Sequence, residues 1–369
     1  MPQTSISNTL KQTLNRLPFL TAHLPGIAGT IKAVPEHFQV EEIMPYTACG
    51  EGEHVFVTLR RKAWNTVDVA RTLKEAFSLR STDVGWGGRK DKNAVTTQTF
   101  SLHLPLSMRL DAIQQILDSM PFEILEIRRH RNKIKTGHVA ANRFKIIVSQ
   151  PVPDAWIKAR AIADLLRRHG AANYYGEQRF GWQMRNLDRV QQLIQKGRAG
   201  RGKTDQFMIS ALQSALFNVW LKQRIESGLF DVVIEGDVAR KTDTGGMFIV
   251  DDTAEAAQRF AARNIVTTGP VYGYKMMAAV GRAGELEERI LQSLELDRQL
   301  FKALKAPGSR RPAQLLLEDL DISPVTEGLL FRFTLPSGAY ATTVLREFLR
   351  ADGVSQMKQK GLQSPKDPL

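Results

Sequence analysis

The 369-residue chain predicts an α+β protein, and three observations carry that reading. Short stretches alternate apolar and polar residues, as Phe100, Leu102 and Leu104 do before Pro105, which is the pattern of a strand with one buried face. Between them, apolar residues recur every three or four positions, as in Leu110, Ile113, Ile116 and Leu117, the stripe of an amphipathic helix. Third, the texture turns to long helical patterns after about residue 168, so a second, more helical unit is expected.

Taken in order, residues 54–60, HVFVTLR, predict a strand, and Thr66 is placed to cap a helix whose apolar face is Val69, Ala70, Leu73, Ala76 and Phe77. Strands are expected again around Phe122 to Ile127 and Phe144 to Val148. If a short strand opens the glycine-rich stretch from Gly85, the order becomes β-α-β-β-α-β, that of ferredoxin-like and RNA-recognition sheets. The helical unit shows Leu187, Val190, Leu193 and Ile194, then a run from Phe207 to Trp220 ending near Gly228, then a third helix over roughly Glu285 to Leu304. A basic connector, PGSRRP, leads to a strand at Leu329 to Leu335. From Val354 onward little remains to pack, and a disordered tail is expected. No internal repeat or low-complexity tract appears.

Lys and Arg number 51 against 38 Asp and Glu, a net charge of +13 with a pI near 9.9. Such a chain favours a polyanion, with nucleic acid ahead of an anionic membrane surface. The start, MPQTSISNTLKQ, has neither a basic n-region nor an apolar h-region, and no apolar run approaches the ~18 residues of a membrane span, so a cytoplasmic address is expected. The single cysteine, Cys49, excludes an intramolecular disulfide, and the seven histidines lack metal-ligand spacing, so no metal is expected. Gly197 to Thr204, GRAGRGKT, matches the P-loop pattern literally. A P-loop needs a strand to feed it, and the preceding NLDRVQQLIQK has helical periodicity, so phosphate contact through Arg198, Arg201 and Lys203 is the preferred reading over nucleotide hydrolysis. For the run Arg128 to Lys135, RRHRNKIK, nucleic-acid contact and a plain solvated face both stay open.

The stretch Gly85 to Phe100, GWGGRKDKNAVTTQTF, holds Asp91 between two lysines. An acid so placed is ordinarily a surface ion-pair residue. Other stretches change the weighing: KAVPEHFQVEE at 32–42, GEGEH at 50–54, NT at 65–66, NRF at 142–144, NYYGEQRFG at 173–181, SALQSALFN at 210–218 and LPSGAYATTVLRE at 335–347. In this order they resemble the TruD family of tRNA pseudouridine synthases, from about Lys32 to Glu347. The resemblance implies an enzyme, a cofactor-free isomerase that converts a tRNA uridine, position thirteen of the D-arm in bacterial members, to pseudouridine. Asp91 falls on the family's catalytic aspartate; Lys32, Phe38, Glu42, His54, Asn142 and Phe144 fall on positions that line the pocket. It implies tRNA as partner and no protein partner. It also implies a catalytic domain of mixed sheet with flanking helices made by residues 1–167 and 316–369, with a mainly helical α/β insertion over 168–315. The sequence departs from the family pattern at Ala141, Ala172, and Ala63 with Trp64, which bears on local loop shape.

Chemistry supports these roles without the name. Breaking a bond between a sugar and N1 of uracil leaves electron deficiency on the sugar, which a carboxylate captures as an ester or steadies electrostatically. Lys90, Lys92 or a folded-in Lys32 would favour the ionised acid. Glycines at 85, 87 and 88 either let backbone approach substrate or make an ordinary turn. An unstacked uridine needs an aromatic wall and polar groups for its edge, tasks that suit Phe144 and Asn142. A non-catalytic RNA-binding protein is the alternative class; it would carry an aromatic RNP1-like string, which is absent.

Overall fold

A computed structural model describes residues 5–196 and 202–360, with backbone alone for Lys203 and for 351–360. Helix α1 (Ile6–Leu14) precedes β1 (Phe38–Ile43) and β2 (His54–Lys62). Then come α2 (Thr66–Ala76), β3 (Val84–Trp86), β4 (Val95–His103), α3 (Leu110–Asp118), β5 (Glu123–His130), β6 (Ala141–Ser149), α4 (Ala155–His169) and the short β7 (Ala171–Ala172). Helices α5 (Arg185–Lys196) and α6 (Lys203–Glu226) lead to β8 (Val238–Lys241), β9 (Met247–Ile249), α7 (Thr253–Ala261), β10 (Ile265–Val271), α8 (Gly281–Ser293), α9 (Arg298–Ala303), β11 (Ser309–Pro312) and β12 (Gln314–Leu315). The last elements are β13 (Asp321–Val325), β14 (Gly328–Pro336) and α10 (Ala341–Lys360). No described helix is long and apolar enough to cross a membrane.

The described chain divides into two compact units. One comprises Leu24–Asp164, Leu317–Ala341 and the chain from Phe348 on; the other comprises the chain up to His23, Leu165–Leu316 and Thr342–Glu347. The first is built on an eight-stranded mixed sheet in the order β13-β14-β6-β1-β4-β2-β5, with β3 added on β4. The expected β-α-β-β-α-β run is β2 to β5 with α2 and α3, and its strands pair in the order β5-β2-β4-β3. Strand β1, which sequence reading did not find, lies parallel to β4 at Gln39↔Val95 to Glu41↔Thr97, while β3 pairs antiparallel with the other half of β4 at Phe100 to Leu102. Two strands therefore share one edge of β4, and the chain from Gly87 to Ala94 emerges where one gives way to the other.

Period-two alternation puts Val55, Val57 and Leu59 of β2, Phe100 and Leu102 of β4, and the apolar stripes of α2 and α3 in one core. Register carries the same face across the sheet, Leu59 opposite Gln98, Glu42 opposite Asn142 and Asn142 opposite Leu335. At the far side Phe331 of β14 packs edge-on against Phe348 of α10, with centroids 4.9 Å apart.

Several local expectations change. Asn65, not Thr66, caps α2, its side-chain oxygen accepting from the Asp68 N–H at 2.8 Å; Thr66 is the first helical residue and its hydroxyl turns inward. The helix expected over 285–304 is two helices, because Glu295 takes a left-handed φ of 54° and Asp297 caps α9 afresh. The PGSRRP connector contains a strand, β11, paired with β10. Helix α10 continues to Lys360 past a non-helical Arg350, where a tail was expected from Val354; the rest of that tail, 361–369, lies outside the described residues.

In the second unit α6 is buried on nearly every side from Met208 to Leu221, which makes it the central helix of that core. It packs with Leu187, Val190 and Leu193 of α5 and with Leu10 and Leu14 of α1. A four-stranded sheet, β11-β10-β8-β9, completes the unit. Within it the NYYGEQRFG stretch is knitted to α6: Asn218 accepts from the Tyr175 N–H at 2.8 Å and donates to the Tyr175 carbonyl at 2.9 Å, and the Arg311 guanidinium sits 4.0 Å from the Tyr175 ring centre.

Candidate active site

The site begins with strand register. In β1 the inward residues are Phe38, Val40 and Glu42; in β6 they are Asn142, Phe144 and Ile146; the pairs Val40↔Phe144 and Glu42↔Asn142 set both on one face. Phe38 meets Phe144 edge-on at 6.2 Å, and Phe144 stacks on Phe333 of β14 at 5.4 Å. Phe38 and Phe144 are 5% and 7% exposed, so they act as core residues and as a wall at once. Lys32 stands over the Phe38 ring at 4.3 Å, and its ammonium pairs with the Asp91 carboxylate. Lys32 does so from a left-handed backbone, φ 58°, a conformation costly for a residue with a side chain and common at working sites. Five of the sequence-derived positions, Lys32, Phe38, Asp91, Asn142 and Phe144, thus gather around one stretch of sheet.

Glu42 lies in the same stretch but is enclosed. Its side chain is fully buried, and Oε2 accepts from Lys90 Nζ at 2.5 Å and Gln98 Nε2 at 3.0 Å. His54 lies elsewhere. It opens β2 opposite His103, eight residues along β4 from Val95, which is about 26 Å at the strand rise. There it faces His103 at 5.0 Å in a group with Tyr46, Phe56, His130 and His138, and burial first, then the charges of His103 and Lys133, hold it below the ordinary histidine value.

The glycines divide. A Cβ on Gly85 would stand 2.3 Å from the Ile134 carbonyl oxygen, and one on Gly87 2.5 Å from a Val139 methyl, so both are small because the 131–140 loop packs on them. A Cβ on Gly88 would meet only Lys90 Nζ, at an ordinary 3.9 Å. The stretch RRHRNKIK turns from the end of β5 into that loop, and its Ile134 N–H donates to Ser101 Oγ at 3.0 Å.

Sequence reasoning assigned no role to Arg61, Thr66 or Gln98 in the site, and these are 2%, 1% and 0% exposed. Arg61 donates to Thr66 Oγ1 at 3.0 Å and to the Trp64 carbonyl at 3.1 Å; burial pulls its guanidinium down to about 10, with Glu42 opposing. A signal existed. Counting by twos back from Leu102 and Phe100 puts Gln98 on the buried face, and counting on from Val57 and Leu59 does the same for Arg61. Among the described residues, no group of three or more acidic, histidine or cysteine side chains is arranged to hold a metal ion.

The model of the family tRNA pseudouridine synthase D (TruD) matches residues 16–201 and 201–348. The chain is 38% identical over 345 residues to tRNA pseudouridine synthase D of Thermus thermophilus, spanning 93% of this chain and 95% of that one. It is also 38% identical over 343 residues to the protein of that name from an Anaeromyxobacter species, at 90% and 96% coverage. The crystal structure of a putative tRNA pseudouridine synthase D from Methanosarcina mazei shares the fold, with a TM-score of 0.73 at 20% identity over 94% of this chain and 99% of that one. An enzyme of the isomerase class, which rearranges a uridine without gaining or losing atoms, is therefore in hand. The chain belongs to the TruD family of tRNA pseudouridine synthases.

Proposed function

We propose that this enzyme isomerises uridine 13 in the D-arm of tRNA to pseudouridine, with Asp91 as nucleophile. The observation that carries the proposal is the Asp91 carboxylate paired with the Lys32 ammonium beside the Phe38 ring. In the step envisaged, a carboxylate oxygen bonds to C1′ while the C1′–N1 bond breaks and its electron pair leaves with uracil. The base turns within the pocket, C5 bonds to C1′ as the ester C–O bond breaks, the C5 proton departs and N1 takes up a proton. Atoms and electrons balance without oxidant, reductant or co-substrate.

The remaining residues have distinct tasks. Asn142 Oδ1 is buried and finds no hydrogen-bond donor among the described residues, an acceptor suited to the N3–H of uracil. Phe38 and Phe144 wall the base pocket, and Lys32 holds the carboxylate against the ring. Glu42 serves by gripping Lys90. His54 would meet tRNA outside the base pocket, in the company of the basic run that begins at the end of β5. Catalysis is assigned to the sheet unit and tRNA grip to the helical unit; they follow the expected 1–167 with 316–369 and 168–315, except that the chain up to His23 and Thr342–Glu347 group with the helices. A net charge of +13 and a cytoplasmic address suit a tRNA partner. Purified protein incubated with tRNA transcripts, followed by chemical mapping of pseudouridine, is the test. Modification at position 13 supports the reading, and its absence there sinks the site assignment.

A further inference from the structure

Polar side chains inside a sheet core are costly unless every donor and acceptor finds a partner. Thr66 and Gln98 are both enclosed, and both reach with polar atoms to the loop that carries Asp91. Thr66 Oγ1 accepts from the Lys90 backbone N–H at 2.9 Å and from Arg61 Nη2 at 3.0 Å, and it donates to Gln98 Oε1 at 3.2 Å. Gln98 Nε2 donates to the Gly88 carbonyl at 2.7 Å and to Glu42 Oε2 at 3.0 Å. Glu42 then takes the Lys90 ammonium at 2.5 Å. Gly88 is thus tied at its carbonyl and Lys90 at its amide and its side-chain end. Asp91 is the next residue.

This part of the chain lies between β3 and β4, outside the sheet's ladder, so side-chain ties replace strand pairing as its restraint. Thr66 is fixed as the first residue of α2, and Gln98 is fixed within β4 between β1 and β2. Helix and sheet therefore clamp the same three-residue segment from two directions.

We propose that Thr66 and Gln98 are positioning residues for the reaction, acting through Gly88–Lys90 to set where the Asp91 carboxylate stands, without touching substrate. The inference rests on the reading of Asp91 as nucleophile. Reaction rates fall steeply when a reacting atom is displaced by about 1 Å, by roughly a hundredfold. A lost tie should therefore appear in the chemical step and not in tRNA affinity, which phosphate contacts dominate.

The test compares wild type, Thr66→Val, Thr66→Ser, Gln98→Met and the Thr66→Val/Gln98→Met double variant. Single-turnover pseudouridine formation, the tRNA dissociation constant and the thermal midpoint are measured for each. Thr66→Val removes the hydroxyl at nearly constant volume, and its rate should fall about tenfold to a hundredfold while affinity stays within about twofold. Thr66→Ser should restore the rate, and the double variant should be no slower than the slower single, because both act through one segment. A Thr66→Val rate within about threefold of wild type overturns the inference, as does a serine variant as slow as the valine one, or rate losses that multiply in the double. Should Thr66→Val fail to fold, Gln98→Met decides by the same criterion, a rate loss at constant affinity. A wild type that forms no pseudouridine overturns the functional reading and the inference with it; an active wild type with fast variants overturns the inference alone.

Discussion

Asp91 is held near the surface by its ion pair with Lys32, and the two side chains keep 31% and 21% of their area exposed. A pair of that exposure contributes no more than about 1 kcal/mol to stability. Asp91→Asn keeps size and hydrogen-bonding capacity but removes the charge. It should leave the thermal midpoint and tRNA affinity near wild type while pseudouridine drops below detection. Retained yield in the Asn variant would remove Asp91 from the mechanism, and a collapse of all three readouts would make it structural. Lys32 offers a complementary experiment, since its left-handed φ of 58° is strained for any residue but glycine. Lys32→Gly relieves that strain, offset by greater freedom in the unfolded chain. A thermal midpoint at or above wild type with turnover at least about tenfold lower is the expected outcome; undiminished turnover would show that the ammonium is dispensable.

At the scale of elements, the strand pair β3–β4 is shaped by what packs on it. Gly85 admits the Ile134 carbonyl and the Ser101 hydroxyl within 2.3 and 2.6 Å of where a Cβ would be. Gly85→Ala should therefore displace the 131–140 loop and cost about 1–3 kcal/mol, read as a lower urea midpoint. An unchanged midpoint would mean that the loop yields freely. Strand β11 makes a different kind of element, a basic stretch folded inward. Arg310 and Glu287 pair at 2.7 Å with both side chains 1% exposed, and Arg310 also donates to the Thr268 carbonyl at 2.6 Å. Arg310→Met strands the Glu287 carboxylate and should cost about 3–5 kcal/mol, whereas Arg310→Met with Glu287→Leu should recover much of it. Equal losses in single and double variants would place the stabilisation in the hydrogen bonds and not in the charge pairing.

For the whole molecule, the histidine group at the His54 end of the first unit links protonation to folding. Burial, followed by the charges of His103 and Lys133, holds His54 below 6.5, with Glu53 opposing; burial and Arg131 do the same to His130. Histidines depressed in the fold bind protons more readily when unfolded. The stability they contribute is thus present above about pH 6.5 and lost as pH falls through the depressed folded values. Thermal midpoints measured downward from pH 7.5 should decline below that point, and His54→Gln should decline less. A variant that follows the wild-type curve would assign the acid loss to other groups.

Local pattern was enough to determine the strands at β2, β4, β6 and β14 and helices α2, α3 and α5, because each carries its own period of burial, and α6 by its long apolar run, which the fold buries on nearly every side. The charge, likewise, is a property of composition alone. The gathering of Lys32, Phe38, Asp91, Asn142 and Phe144 was legible only as a resemblance of motifs, since nothing local says that residue 32 meets residue 91. Tertiary structure decided the rest. It slid β1 in beside β4, a pairing invisible to any window along the chain, and turned FQVEE into a strand whose one buried acid grips a lysine. It set His54 at the opening end of β2, opposite His103, five residues along β4 from the Gln98 that reaches Glu42. It also drew Arg310 inward from a strand within PGSRRP and broke the 285–304 helix at Glu295, because a buried arginine with a carboxylate partner and a fresh cap at Asp297 outweigh composition and periodicity.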